Sequence, residues 1–186
     1  MPTVAAAAGR RVDSTKADVV RFPSSNVEVV RSRLSARLQA NRVEVLVASA
    51  ACGADLLALD AANDLGLESV IVLPFAVEVF RRQSVTDRPD GETFWGPLFD
   101  KLVTPRPRVR LTVLDGSAAR AEQAFAAVNE RLVHETLEVA QRTARSALAI
   151  VAWDGVPRPA GELDLTAHFR AAADASGIPV IEVETR

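Results

Sequence analysis

The chain has 186 residues, of which 48% are hydrophobic and 25% charged, and a net charge of −2. A chain of this length buries roughly 70% of the surface it exposes when unfolded, so a true core is expected and a disordered or fibrous sequence is excluded. The slightly acidic balance supplies no overall basic field for nucleic acid, and one cysteine with two histidines supplies neither an internal disulfide nor a structural metal centre.

Short apolar runs recur along the chain with helical patterns between them. Residues 3–8, 43–48, 69–73, 109–114, 147–153 and 179–183 read as strands. The first run stops at Gly9-Arg10-Arg11, far short of the ~20 residues of a membrane span and without a signal-peptide arrangement, so no membrane contact is expected and the cytoplasm is the default location. Runs that are apolar on both faces suit strands covered on both sides, as in parallel sheets built from βαβ units. Ser25 and Glu28 have the spacing of a capping box that would start the first helix, and Val27, Val30, Leu34 and Leu38 form its buried stripe. A second helix is predicted over 53–65, with Gly66 ending it in the left-handed conformation. Pro74 interrupts the chain after the third strand, a brief helix follows over 76–83, and the polar segment 84–92 is a candidate lid. Phe94, Trp95, Leu98, Phe99 and Leu102 stand at helical spacing. Phe125, Val128, Leu132 and Val139 mark one face of a long helix over 119–143, and the last helix is predicted over 165–175. The whole, 1–186, reads as one α/β domain, a Rossmann-like three-layer αβα sandwich with a mostly parallel central sheet.

In such a sheet ligands bind beyond the carboxyl ends of the strands, where loops converge and helix N-termini direct N–H groups into the crevice. The residues that follow each strand are therefore the candidate site. They are Gly9, Arg10, Arg11 and Asp13 after the first strand, and Ser49, Gly53, Ala54 and Asp55 after the second. Pro74 and Phe75 follow the third, while Trp153, Asp154 and Gly155 end the fifth. Small residues over 49–55 would let an anion approach backbone donors at a helix N-terminus. Asp55 complicates a plain phosphate cradle, since its carboxylate lies in the helix's first turn; it could accept from a ribose or pair with Arg10 or Arg11. Cys52 reads as a small packing residue, with a reactive thiol as the other reading. Arg81 and Arg82 have the planar donor fork that suits a phosphate. His134 reads as a surface residue and His168 as core or surface.

These segments, together with Arg21-Phe22-Pro23, Leu73-Pro74-Phe75, Phe80-Arg81-Arg82-Gln83-Ser84-Val85 and Trp153-Asp154-Gly155, resemble in order and spacing a bacterial branch of the SLOG superfamily. That superfamily is named for the DNA-processing protein Smf/DprA and the Lonely Guy phosphoribohydrolases. The resemblance spans almost the whole chain. It implies a Rossmann-like fold, a pocket for nucleotide-derived molecules and, in this branch, a ligand-sensing module joined to signalling or effector partners. It points to the strand-end residues above and to Arg81, Ser84 and Gly161. One departure matters. A glycine-glycine-threonine loop normally follows Trp-Asp-Gly in this branch, whereas here the stretch is Pro159-Ala160-Gly161-Glu162-Leu163-Asp164-Leu165-Thr166. A carboxylate of Glu162 or Asp164 about 5 Å from a phosphate charge would cost roughly 3 kcal/mol at an effective dielectric near 20, with Arg158 offsetting part.

The expected function is thus a binding or sensing module for a nucleotide-derived small molecule. The chain assigns itself no catalytic residue, no metal and no cofactor, and leaves room for a homodimer. The alternative is a Lonely Guy-like nucleoside monophosphate phosphoribohydrolase using Glu162 or Asp164. A single-stranded DNA binder, which wants a positive groove and stacking aromatics, fits a chain with no tyrosine and 5% aromatics least well.

Overall fold

The structure is a computed structural model that describes residues 1–186. Six strands, β1 (Thr3–Gly9), β2 (Val43–Ala48), β3 (Glu68–Leu73), β4 (Val109–Val113), β5 (Ser146–Trp153) and β6 (Val180–Glu184), form one sheet in the order β4-β3-β2-β1-β5-β6. Every neighbouring pair is parallel. The helices are α1 (Val27–Ala40), α2 (Ala54–Asp64), α3 (Val77–Ser84), α4 (Gly96–Val103), α5 (Ala121–Thr143) and α6 (Leu165–Ala175). This is the predicted Rossmann-like α/β sandwich, with all of its pairings parallel.

Two cores lie on either side of the sheet, and the period-2 alternation of strand side chains builds both. Ala5, Ala7, Leu46, Ala48, Ile71, Leu73, Leu148 and Ile150 face α1, α2 and α4. Val4, Ala6, Val45, Val47, Val70, Val72, Ala149 and Val151 face α5 and α6. Continuous apolar runs are therefore what this sheet requires. Alanine is a poor strand former by propensity, yet β1 carries four in a row. Its central place between β2 and β5, under α2 and α5, makes small side chains fit. The two edge strands carry charge instead, with Arg110 in β4 and Glu182 and Glu184 in β6, which discourages further strand addition.

Two local expectations are corrected. The Ser25–Glu28 capping box does not form. The chain enters α1 through a 3₁₀ turn at Ser24–Asn26, so Val27 opens the α-helix; the Ser25 hydroxyl turns to Asn26 Oδ1 at 3.5 Å, and Asn26 donates its amide to the Thr185 carbonyl at 3.2 Å. Phe94 does not join the buried stripe of α4. A wide π-type turn at Gly91–Trp95 adds a residue to the approach, leaving Phe94 40% exposed, edge-on to the buried Trp95.

Candidate functional site

The strand order reverses at β1. From it the chain winds outward to β2, β3 and β4 with helices on one face, then returns through α5 on the other face to β5 and β6. Loops diverge at such a switch point and leave a crevice at the carboxyl ends of the strands. A cavity of 650 Å³ occupies that place, walled by the chain beyond β1, the β2–α2 turn, the 83–88 stretch, α5 and the 158–166 stretch. Its volume is that of a typical small-molecule site. Six Arg or Lys and four Asp or Glu side chains line it, so the crevice is locally basic in a chain of net charge −2.

Arg10 is the hub beneath this crevice. It is 5% exposed, and its guanidinium lies over the Trp153 ring at 5.7 Å, as cation–π attraction favours. Nε donates to Asp154 Oδ1 at 3.2 Å, Nη1 to Asp164 Oδ1 at 2.6 Å, and Nη2 to Asp164 Oδ2 at 3.0 Å and the Val156 carbonyl at 2.8 Å. Arg21 Nη1 donates to Asp154 Oδ2 at 2.9 Å. Arg10 thus ties β1 to the loop beyond β5, and most of its donors are spent inside the protein. Asp164 also caps α6, accepting from Ala167 N–H at 3.0 Å, and accepts from Arg158 N–H at 2.8 Å. Burial penalises its charge, but the bonds from Arg10, Ala167 and Arg158 outweigh that and hold its carboxyl below the usual range.

The β2–α2 turn is likewise closed on itself. Cys52 N–H donates to the Ser84 carbonyl at 2.9 Å and Ala54 N–H to the Arg10 carbonyl at 3.1 Å. Ala51 N–H donates to Asp55 Oδ2 at 3.4 Å. The carboxylate of Asp55 therefore stands where an external anion was expected. Asp55 pairs with neither Arg10 nor Arg11, and its Oδ1 is buried without a partner. Burial pushes its carboxyl up to about 7, against smaller opposing effects of Ala51 N–H, Gly9 N–H and Arg11. Cys52 is buried, and burial likewise raises its thiol although Arg11 lies beside it.

Arg11 donates from Nη2 to Asp87 and to Cys52 Sγ, linking the end of β1 to the segment that follows α3. That segment is anchored rather than loose, because Val85 is fully buried and Gly91 approaches Thr86 so closely that a Cβ would meet its carbonyl oxygen at 2.3 Å. The Nε atoms of Arg11 and Arg88 are both buried without partners, and both residues line the cavity.

Of the residues singled out in the sequence, Gly9, Arg10, Arg11, Asp13, Ser49, Asp55 and Ser84 line the crevice. Asp13 closes the loop beyond β1, its Oδ2 accepting from Arg21 N–H at 3.0 Å and Phe22 N–H at 2.9 Å. Gly53 and Ala54 lie beneath, Gly53 at φ +111° against the backbone of Arg10, Arg11 and Val12. Trp153 and Asp154 support Arg10 from below. Pro74 accepts from Gly116 N–H at 2.9 Å, and Phe75 packs edge-on to Phe125 at 5.8 Å between ring centroids. Gly155 and Gly161 are exposed, both at positive φ. Arg81 lies outside the crevice wall, since α3 turns it toward Asp100 at 2.9 Å and Glu92 at 3.3 Å, and its neighbour Arg82 is exposed. Arg88, Arg21 and Asn129 are the residues that strand-end reading missed. Asn129 had a signal, because it occupies the buried face of α5 with Phe125, Val128 and Leu132; it donates to the Leu165 carbonyl at 2.8 Å and meets His168 Nδ1 at 3.3 Å.

These features define a class, the doubly wound α/β domains with a polar crevice at the topological switch point. No family model and no curated protein matches the sequence. Among solved structures the chain is similar to DNA processing protein A (DprA) from Streptococcus pneumoniae, at 18% identity and a TM-score of 0.45 over 97% of this chain. It is also similar to the Moco carrier protein from Chlamydomonas reinhardtii, at 12% identity and a TM-score of 0.40 over 100% of this chain. The chain spans 58% of the length of the former and 91% of the latter.

Proposed function

We propose that the crevice binds an anionic, nucleotide-derived small molecule, and that the domain is a ligand-sensing module of the SLOG type acting with an effector partner. One observation carries the reading: Arg11 and Arg88, each with a buried Nε–H that has no partner, both line one cavity of nucleotide size. Arginine forks match phosphate oxygens in geometry and charge. A phosphate held by Arg88 would compete with Asp87 for Arg11, drawing the 85–90 segment into the binding event.

Hydrolysis of an N-glycosidic bond has less support. Of its two acids, Asp164 is committed to Arg10 and to capping α6, leaving Glu162 at the rim beside Arg158.

Titration calorimetry and thermal shift with nucleoside monophosphates and cyclic dinucleotides test the proposal. Binding should raise stability by about 2.7 kcal/mol at a ligand concentration one hundred times Kd. Arg88→Ala should weaken it roughly tenfold or more, as loss of a charged hydrogen bond does, whereas Arg81→Ala should leave it unchanged. No binding by any of the panel would overturn the reading.

A further inference from the structure

The crevice holds one acid that the anion grip does not use. Asp55, 8% exposed, sits on the wall in the first turn of α2. Oδ2 accepts from Ala51 N–H at 3.4 Å, and Oδ1 has no hydrogen-bond partner. Buried polar atoms are almost always satisfied, so an orphan on a residue that lines a cavity marks a place for an incoming group.

The shape of the vacancy limits that group. A base edge offering two parallel N–H donors wants both carboxylate oxygens, as in bidentate pairing. A hydroxyl wants one, and one is free. We infer that Asp55 is the specificity-determining residue of the crevice, accepting a sugar hydroxyl of a sugar phosphate whose anionic end lies at Arg88. This rests on the proposed function above.

The charged groups that line the crevice with Asp55 are Arg10 and Arg11 at the end of β1, Asp13, Lys16, Asp18 and Arg21 beyond them, Arg88 after α3, and Arg158 with Glu162 beyond β5. Burial keeps the carboxyl protonated up to about pH 7. The ionised carboxylate is the stronger acceptor for a hydroxyl donor, so binding of the hydroxyl-bearing ligand favours release of the proton and tightens as pH rises through 7.

The test uses the full chain with adenosine 5′-monophosphate and its 2′,3′-dideoxy analogue, which share base and phosphate, and with ribose 5-phosphate. On the wild type, loss of both hydroxyls should weaken binding roughly tenfold or more at pH 8 and less at pH 6. Asp55→Ala removes both acceptor oxygens and should bind the two adenosine compounds alike at both pH values, whereas Asp55→Asn, which keeps a carbonyl acceptor but does not titrate, should discriminate between them equally at pH 6 and pH 8. Equal binding of the two by the wild type, or discrimination retained in Asp55→Ala, overturns the inference while leaving the anion site standing. Failure of all three probes to bind the wild type overturns both.

Discussion

A carboxylate buried without a full set of partners is costly, and Asp55 makes that cost visible in the pH dependence of stability. Its carboxyl titrates near 7 in the folded chain against 3.8 ordinarily. Between those values the folded state keeps a proton that the unfolded state has lost, so stability falls as pH rises from about 4 to about 7 and is level above. The loss is about 4 kcal/mol, at 1.36 kcal/mol for each tenfold step. Thermal melts of the wild type and Asp55→Asn across pH 4 to 8 should therefore diverge, the variant being the more stable at pH 8; parallel curves would refute the assignment. Arg10 presents the opposite case, a buried charge with its partners in place. Arg10→Ala removes the cation shared by Asp154 and Asp164, leaving Asp154 with Arg21 and Asp164 with backbone N–H donors only, and should cost about 3–5 kcal/mol. Hydrogen exchange in the 154–164 loop should rise in that variant, and an unchanged loop would show that Arg10 does not hold it.

At the scale of elements, the crevice depends on how closely β1 meets the β2–α2 turn. Gly53 has φ +111°, and a Cβ there would lie 2.7 Å from both the Arg10 carbonyl and Val12 N. Gly53→Ala combines strain with collision and should cost about 2–4 kcal/mol, read as a lower urea midpoint; a variant of wild-type midpoint would mean that the turn can relax. Six strands and α6 were legible from apolar runs and their punctuation, because burial on both faces leaves an unambiguous pattern. The start of α1 was not, because Ser25 and Glu28 have capping spacing but the 3₁₀ turn at Ser24–Asn26 shifts the helix by one residue. Arg81 was read from its motif as a phosphate ligand, yet which face of α3 meets the crevice is set by how Phe80 stacks on Phe99 at 6.0 Å. Arg88 was overlooked because its segment has no periodic pattern to place it.

For the molecule as a whole, charge is unevenly spread, with a net −2 overall and basic residues gathered at one crevice. Single-stranded DNA should give no gel shift at 50 mM or 200 mM salt, since binding of that kind scales with the phosphates neutralised; a salt-sensitive shift would reopen that function. Sequence alone determined the layers, the parallel sheet and the edge where the crevice lies, because hydrophobic periodicity and strand-end position are local properties that survive in one dimension. Only the tertiary structure decided which polar groups are spent and which are free. Arg10 and Asp164 are separated by most of the chain and neutralise each other, while Asp55 and Arg88 remain unpaired in one cavity, and electrostatic pairing depends on distances in space that sequence order does not fix.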